Sequence, residues 1–225
     1  MSFNIAIDGP AGAGKSTIAR LLAKKLGFIY VDTGAMYRAM ALHFLNRGIE
    51  AGQEDAIREA CREVKISLSY ENGQQKVFLN GEDVSTAIRQ EQVGKMASLT
   101  SPYPFVREKL LSLQRGMAQE HDVIMDGRDI GTCILPYAQL KIFLTASVET
   151  RAQRRYQELV DKGEDCDLEQ IKADIAARDH ADMTRETAPL KQAEDAILVD
   201  TSDLDIDGVV AVMTDLAVKA GVTIA

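Results

Sequence analysis

The 225-residue chain has no tryptophan, only three cysteines and five prolines, and no excess of basic side chains. Cys61, Cys133 and Cys166 lie too far apart for a Cys-x-x-Cys motif, which disfavours a zinc site and favours a reducing compartment. Apolar runs fall short of the roughly 20 residues that a membrane helix needs. The first residues lack the features of a signal peptide. We therefore expect a cytoplasmic protein without a membrane segment.

The charge balance is acidic and uneven along the chain. Lys and Arg number 26 against 34 Asp and Glu, for a net charge of −8, and the excess of acid lies in residues 151–225. A broad basic surface for nucleic acid is therefore disfavoured, although a local anion site is not. With 46% apolar and 27% charged residues, the composition is that of a globular protein whose length suits a single domain.

Short apolar segments alternate with stretches of helical periodicity. Strands are predicted at residues 3–7, 28–31, 123–125, 140–144 and 196–199. Helices are predicted at residues 18–26, 33–47, 53–64, 86–99, 104–119, 147–162, 168–183 and 205–220. This alternation predicts an α/β fold with a parallel sheet covered by helices on both faces. Residues 65–84 instead alternate apolar and polar side chains around Asn72-Gly73, which predicts a β-hairpin insert.

A phosphate-binding loop follows the first predicted strand. Residues 9–16 fit the pattern G-x-x-x-x-G-K-[ST] between a strand and a helix, which predicts a P-loop NTPase-type fold that binds a nucleoside triphosphate. Glycines let successive backbone N–H groups face the phosphates, the lysine reaches the β- and γ-phosphates, and the serine can bind Mg²⁺. The predicted triphosphate-binding residues are Gly9, Pro10, Ala11, Gly12, Ala13, Gly14, Lys15, Ser16 and Thr17.

Several arginines favour a small-molecule kinase over other P-loop classes. The guanine-reading Asn-Lys-x-Asp of GTPases is absent, and motor ATPases are usually larger. Arginine holds phosphate oxygens in two-point contacts, as a second phosphate-bearing substrate would require. Candidates are Arg38, Arg128 beside Asp129, Arg151 with Arg154 and Arg155 on one helix face, and Arg178 with Asp182 and Arg185 on another. Each cluster alone also fits a solvated helix face, with Arg178–Asp182 as a surface pair.

Longer motifs carry a resemblance to a known family. They are Asp8-Gly9-Pro10, residues 32–38, the region of Arg107, residues 126–132, and residues 178–190. Over nearly its whole length the chain resembles the bacterial cytidylate kinases, nucleoside monophosphate kinases that phosphorylate CMP and dCMP from ATP. The predicted insert resembles that family's enlarged monophosphate-binding region. The chain departs from the pattern at Thr33, often a serine in the family, and at Ala181 and Met183, which replace charged residues.

The resemblance implies a role for each matched residue. Lys15, Arg128, Arg178 and Arg185 would be catalytic; Arg38 and Arg128 would hold the acceptor phosphate, Arg185 would bridge the two phosphates, and Arg154 would bind ATP. Thr33, Arg107 and Asp129 would bind the cytosine, and Ser98 and Asp182 the sugar. Apart from the resemblance, the position of Asp126 at the end of its predicted strand predicts that it holds Mg²⁺ through water, together with Ser16. A carboxylate at position 129 suits the amino group of cytosine and faces the O4 of uracil badly.

The expected protein is a single domain, 1–225, that transfers the ATP γ-phosphoryl group to CMP or dCMP. Its core would comprise residues 1–32, 122–146 and 190–225, its monophosphate-binding region with the insert 33–121, and its short helical lid with flanking helices 147–189. We expect ATP, CMP and dCMP as partners with Mg²⁺ as cofactor, no nucleic acid, and a monomer. Two alternatives stay open: a kinase for another small acceptor such as UMP, AMP or shikimate, and a non-catalytic nucleotide-gated binding protein.

Overall fold

The computed structural model of this chain describes residues 2–71 and 74–223. These residues contain eight β-strands and eight α-helices. The strands are β1 (Asn4–Asp8), β2 (Ile29–Asp32), β3 (Ile66–Glu71), β4 (Gln74–Leu79), β5 (Glu82–Asp83), β6 (Val123–Gly127), β7 (Leu140–Thr145) and β8 (Ile197–Asp200). The helices are α1 (Lys15–Leu26), α2 (Thr33–Asn46), α3 (Glu54–Glu63), α4 (Glu91–Thr100), α5 (Pro104–Glu120), α6 (Val148–Asp161), α7 (Leu168–Thr184) and α8 (Ile206–Lys219).

A five-stranded parallel sheet, in the order β2-β6-β1-β7-β8, confirms the predicted α/β architecture. Its strands are short apolar runs because helices cover both faces. In β1, Ala6 contributes to the core shared with α2, α3, α4, α5 and the insert, whereas Ile5 and Ile7 contribute to the core shared with α1 and α8. The two-residue period of the strand therefore divides its side chains between two cores.

The predicted insert is a small antiparallel sheet in the order β3-β4-β5. The pairing of Ile66 with Leu79 begins a ladder that confirms the hairpin, while the turn predicted at Asn72-Gly73 lies outside the described residues. The third strand, β5, was not predicted because it contains only two residues, Glu82 and Asp83, both exposed. Such a short edge strand leaves no hydrophobic alternation in the sequence.

One predicted helix differs from the structure. The helix predicted at residues 86–99 is divided into a 3₁₀ turn, Ala87–Arg89, and α4, because Gln90 adopts an extended backbone with ψ 145°. Neither proline nor glycine marks this break in the sequence. Residues 130–134, for which the sequence predicts no regular element, form a π-helical turn after β6. Across residues 2–71 and 74–223, no helix combines the length and apolar character that a membrane crossing requires.

Candidate active site

The phosphate-binding loop connects β1 to α1 and depends on glycine at positions of positive φ. Gly12 and Gly14 have φ of 75° and 81°. Gly9 has φ 150°, and a Cβ there would lie 1.9 Å from the carbonyl oxygen of Leu144 in β7. A side chain at position 9 would therefore force the loop away from the sheet. Lys15 begins α1, and its Nζ donates a hydrogen bond to the Pro10 carbonyl at 2.6 Å.

This loop borders a cleft of about 760 Å³. Eighteen predicted site residues line it: Ala11, Gly12, Ala13, Gly14, Lys15, Ser16, Thr17, Thr33, Arg38, Ser98, Arg107, Asp126, Arg128, Asp129, Arg154, Arg178, Asp182 and Arg185. Gly9 and Pro10 are not among the lining residues; the Pro10 carbonyl accepts from Lys15, and Gly9 lies where a side chain would collide with Leu144. Burial, together with nearby Arg128, lowers the pKa of Lys15 well below its usual value. Apart from this lysine, six of the lining residues are arginines, so the cleft brings several cationic side chains together beside the loop.

Asp129 lies buried at one side of the cleft between two arginines. Its carboxylate contacts the Arg107 guanidinium directly, and Arg185 lies 3.8 Å away. Nearby, the Thr33 hydroxyl donates to the Asp126 carbonyl at 2.7 Å, so its remaining capacity toward a ligand is that of an acceptor.

Asp182 forms a second carboxylate centre on α7. It accepts from Arg128 Nε at 2.8 Å and lies 3.8 Å from Arg185. The surface pair Arg178–Asp182, considered from the spacing, is not among the ion pairs of the described residues, because Arg128 from the neighbouring β6 end occupies this carboxylate. Partial desolvation in the cleft, and then the nearby Arg128 charge, lower the pKa of Arg178.

Arg38 is held at the start of α2 by a carboxylate that also caps this helix. Asp32 accepts from the Ala35 N–H at 2.8 Å and from Arg38 at 3.1 Å, and Arg89 lies 3.3 Å from the same oxygen. The insert reaches this point as well. The Gln75 side chain accepts from the Asp32 N–H at 3.0 Å and donates to the Asp32 carbonyl at 3.3 Å. The insert is therefore fastened directly beside Thr33 and Arg38.

Ser16 and Asp126 provide a donor set that fits Mg²⁺. The Ser16 hydroxyl donates to Asp126 Oδ2 at 2.8 Å, and Tyr30 donates to Oδ1 at 2.9 Å. Hydroxyl and carboxylate oxygens are the ligands that this hard cation prefers. Burial, with Asp32 nearby, raises the pKa of Asp126. The sequence does not single out Tyr30, because it lies within a short predicted strand of mostly apolar residues; its phenol hydroxyl is the signal that could have indicated a polar partner.

Asp8, at the end of β1, supports the residues that follow Asp129. Its two carboxylate oxygens accept from the N–H groups of Ile130 and Gly131, each at 2.7 Å. The carboxylate thereby satisfies the donors that open the π-helical turn and fixes the backbone beside Asp129. Burial outweighs these two hydrogen bonds and raises the pKa of Asp8 to about 6.

We expect Asp8 to give the folding free energy a defined pH dependence. Because its folded-state pKa of about 6 lies above the unfolded value near 3.8, the folded state binds this proton more tightly. The contribution is fully present below pH 3.8 and is lost as the pH rises through 6. Urea unfolding of the wild type and Asp8→Asn at pH 4, 5, 6 and 7 measures it. The stability of the wild type relative to the variant should fall with rising pH; a constant difference would contradict the assignment.

Comparison with known proteins identifies the family. The family model described as cytidylate kinase matches residues 5–219. The chain belongs to the cytidylate kinase family. The cytidylate kinase of Caldicellulosiruptor saccharolyticus is 52% identical over 96% of both chains. That of Lactobacillus gasseri is 50% identical over 96% of this chain and 94% of its own, and that of Streptococcus suis is 49% identical over 96% of both chains.

Solved structures support the fold at much lower identity. An uncharacterized protein from Eubacterium ventriosum has a TM-score of 0.51 at 12% identity, covering 95% of this chain and 97% of its own. Shikimate kinase from Bacteroides thetaiotaomicron has a TM-score of 0.50 at 13% identity, with the same coverage. At such identities these similarities establish the shared architecture alone.

The three arginines predicted on one face of the lid helix have three different environments. Arg154 lines the cleft and donates to the Thr201 carbonyl at 2.7 Å. Arg155 is exposed and pairs with Glu158 at 3.1 Å. Arg151 is buried, and its guanidinium contacts the Ala146 and Ala11 carbonyls and the Asp179 carboxylate. Of these three candidates for holding phosphate, the structure places Arg154 at the cleft, whereas Arg151 and Arg155 are not among the lining residues.

Proposed function

We propose that this member of the cytidylate kinase family transfers the γ-phosphoryl group of ATP to CMP or dCMP, producing ADP and CDP or dCDP. The observation that carries the proposal is the buried Asp129 carboxylate with Arg107, across a single cleft from the phosphate-binding loop. The full-length similarity to proteins named cytidylate kinase supports it independently. The protein is thus assigned as a phosphotransferase with a phosphate group as acceptor.

Asp129, Arg107 and Thr33 offer a pattern complementary to cytosine. The carboxylate can accept from the exocyclic amino group, and the guanidinium can donate to N3 or O2. The Thr33 hydroxyl, whose proton is already given to the Asp126 carbonyl, can accept as well. Uracil places an acceptor where cytosine has its amino group, so it would meet the Asp129 carboxylate with an unpaired oxygen. Ser98 and Asp182 remain assigned to the sugar.

The acceptor phosphate is assigned to arginines that are paired with carboxylates in the structure. Arg38 contacts Asp32 and Arg128 contacts Asp182, while Arg185 lies 3.8 Å from the Asp182 carboxylate. A phosphate can exchange for these carboxylates with little rearrangement, because each guanidinium has five donors and only some are engaged. Lys15, Arg154 and the backbone of the phosphate-binding loop are assigned to ATP, and Arg178 to the transferred group.

The chemistry requires positioning more than proton transfer. An anionic oxygen of the CMP α-phosphate attacks the γ-phosphorus in line, the bond to the β,γ-bridging oxygen breaks, and ADP departs with that electron pair. No base is needed because the attacking oxygen is already ionised. Lys15, Arg128, Arg178 and Arg185 offset the charge of two anionic substrates. Bound beside Ser16 and Asp126, Mg²⁺ would supply further neutralisation of phosphate oxygens.

The division into a core, a monophosphate-binding region at residues 33–121 and a lid region at residues 147–189 is part of the proposal. Closure of the two outer regions over the loop would exclude water and suppress ATP hydrolysis.

A cytoplasmic location is also part of the proposal. Cys61, Cys133 and Cys166 are free, which agrees with a reducing compartment. We also propose that the protein is a monomer.

Phosphoryl transfer from ATP should depend strongly on the acceptor. We expect kcat/KM for CMP and dCMP to exceed that for UMP by about 100-fold or more, because a mismatched buried polar group is costly. A coupled assay of ADP release with CMP, dCMP, UMP, AMP, GMP and shikimate measures this, with the acceptor-free reaction as control. Preference for UMP, AMP or shikimate would overturn the cytidylate assignment. ADP release that no acceptor stimulates would point to a nucleotide-gated binding protein.

A further inference from the structure

A buried ion pair joins the two helices of the lid region without being part of the set assigned to substrates. Arg151 of α6 and Asp179 of α7 meet at 2.6 Å, with side chains only 4% and 10% exposed. The second carboxylate oxygen of Asp179 is buried and has no hydrogen-bond partner among the described residues. A buried charge pair costs desolvation energy, so its presence calls for a role beyond stability.

The same guanidinium is attached to the phosphate-binding loop. Arg151 Nη1 donates to the Ala11 carbonyl at 2.9 Å, and Nε donates to the Ala146 carbonyl at 2.9 Å, at the junction between β7 and α6. A Cβ on Gly12 would lie 3.4 Å from the Arg151 Cβ, so the side chain also packs directly against the loop. One rigid planar group therefore joins the loop, the base of α6 and α7.

Asp179 stands at the part of α7 that carries the acceptor-side charges. Arg178 is its neighbour in the chain, Asp182 lies three residues further along the helix, and Arg185 follows the helix end. Asp182 and Arg185 take part in the ion-pair network that includes Arg128 and Asp129. The position of α7 relative to the loop therefore sets the distance between donor-side and acceptor-side groups.

We propose that Arg151 and Asp179 are positioning residues that couple ATP binding at the phosphate-binding loop to CMP binding at α7. The inference rests on the proposed function and deepens it. A triphosphate that settles into the loop fixes the Ala11 carbonyl, and with it Arg151 and α7. Acceptor binding acts on the loop in return, because coupling between two sites is reciprocal. Lysine cannot replace Arg151, because a single ammonium cannot reproduce three contacts in a fixed plane.

The test is the mutual effect of the two ligands in Asp179→Asn, measured by calorimetry with a non-hydrolysable ATP analogue with and without CMP. In the wild type, CMP should tighten binding of the analogue, and the variant should reduce this factor by about fivefold or more. In Asp179→Asn, affinity for the analogue alone should change less than about twofold. The kcat of the variant should fall by about tenfold, because the reacting groups are less well positioned. Asp174→Asn, an exposed carboxylate on the same helix, is the matched control and should match the wild type.

Arg151→Lys provides a second variant that keeps a positive charge in the buried site, with Arg155→Lys as its exposed control on α6. Arg151→Lys should reduce the coupling factor about as much as Asp179→Asn does. The double variant Arg151→Lys/Asp179→Asn should reduce it little further than either single variant, because the effects of two residues that act as a unit are not additive. Lower thermal stability with unchanged kcat and unchanged coupling would show a purely structural pair and overturn the inference. So would a wild type that phosphorylates CMP but binds the two ligands independently. A wild type inactive toward CMP would instead overturn the proposed function.

Discussion

Replacing Lys15 with methionine should lower kcat for phosphoryl transfer by about 100- to 1,000-fold, the cost of removing one preorganised charge donor from a transition state. Lys15 is buried at the start of α1, and its ammonium is held toward the loop by the Pro10 carbonyl. Methionine has a similar length and no charge, so it removes the electrostatic contribution and little packing. Steady-state kinetics with saturating ATP and CMP measures the effect.

The fold should survive this change. Lys15 makes no ion pair shorter than 4.0 Å within residues 2–71 and 74–223, and its burial makes the charged form costly in the folded state, so removing the charge does not remove a stabilising contact between charges. Lys24→Met, at an exposed position in the last turn of the same helix, is the matched control and should retain wild-type kcat. A Lys15→Met protein that folds and keeps more than a tenth of the activity would contradict the role assigned to this residue.

What the sequence predicted well depends on backbone geometry that short motifs dictate. The pattern at residues 9–16 requires glycine at defined turns, so it predicted the loop between β1 and α1. Alternating apolar runs predicted the parallel sheet and the hairpin. Residues 128 and 129 follow a strand end, and carboxyl ends of parallel strands meet at one edge, so their place in the cleft was also predictable.

The partners of the charged side chains could not be predicted in the same way. Asp8 and Ile130 are 122 positions apart, and Arg151 and Ala11 are 140 apart. Such contacts depend on the tertiary arrangement of loops that are distant in the sequence, and hydrophobic periodicity carries no information about it. Helical spacing placed Arg151 and Arg154 on one face, yet it could not tell which would be buried, because that depends on α7 and the phosphate-binding loop packing against α6.

The change Asp129→Asn should reverse much of the discrimination between cytosine and uracil. The asparagine oxygen can still accept from Arg107, but its amide then presents N–H donors where the carboxylate presented an acceptor. Those donors oppose the amino group of cytosine and suit the O4 of uracil. We expect kcat/KM for CMP to fall by about 100-fold or more and the ratio of CMP to UMP to fall further, because UMP gains a hydrogen bond. Parallel kinetics with both acceptors measure the ratio.

Asp182→Asn separates base recognition from a general loss of charge in the cleft. Asp182 is a buried carboxylate that also holds an arginine, but it is assigned to the sugar, which CMP and UMP share. Its replacement should therefore lower activity with both acceptors and leave their ratio within about twofold, since only a group facing the base distinguishes them. If Asp129→Asn likewise leaves the ratio unchanged, the buried carboxylate beside Arg107 serves to hold that arginine in place, and the base must be read by other groups.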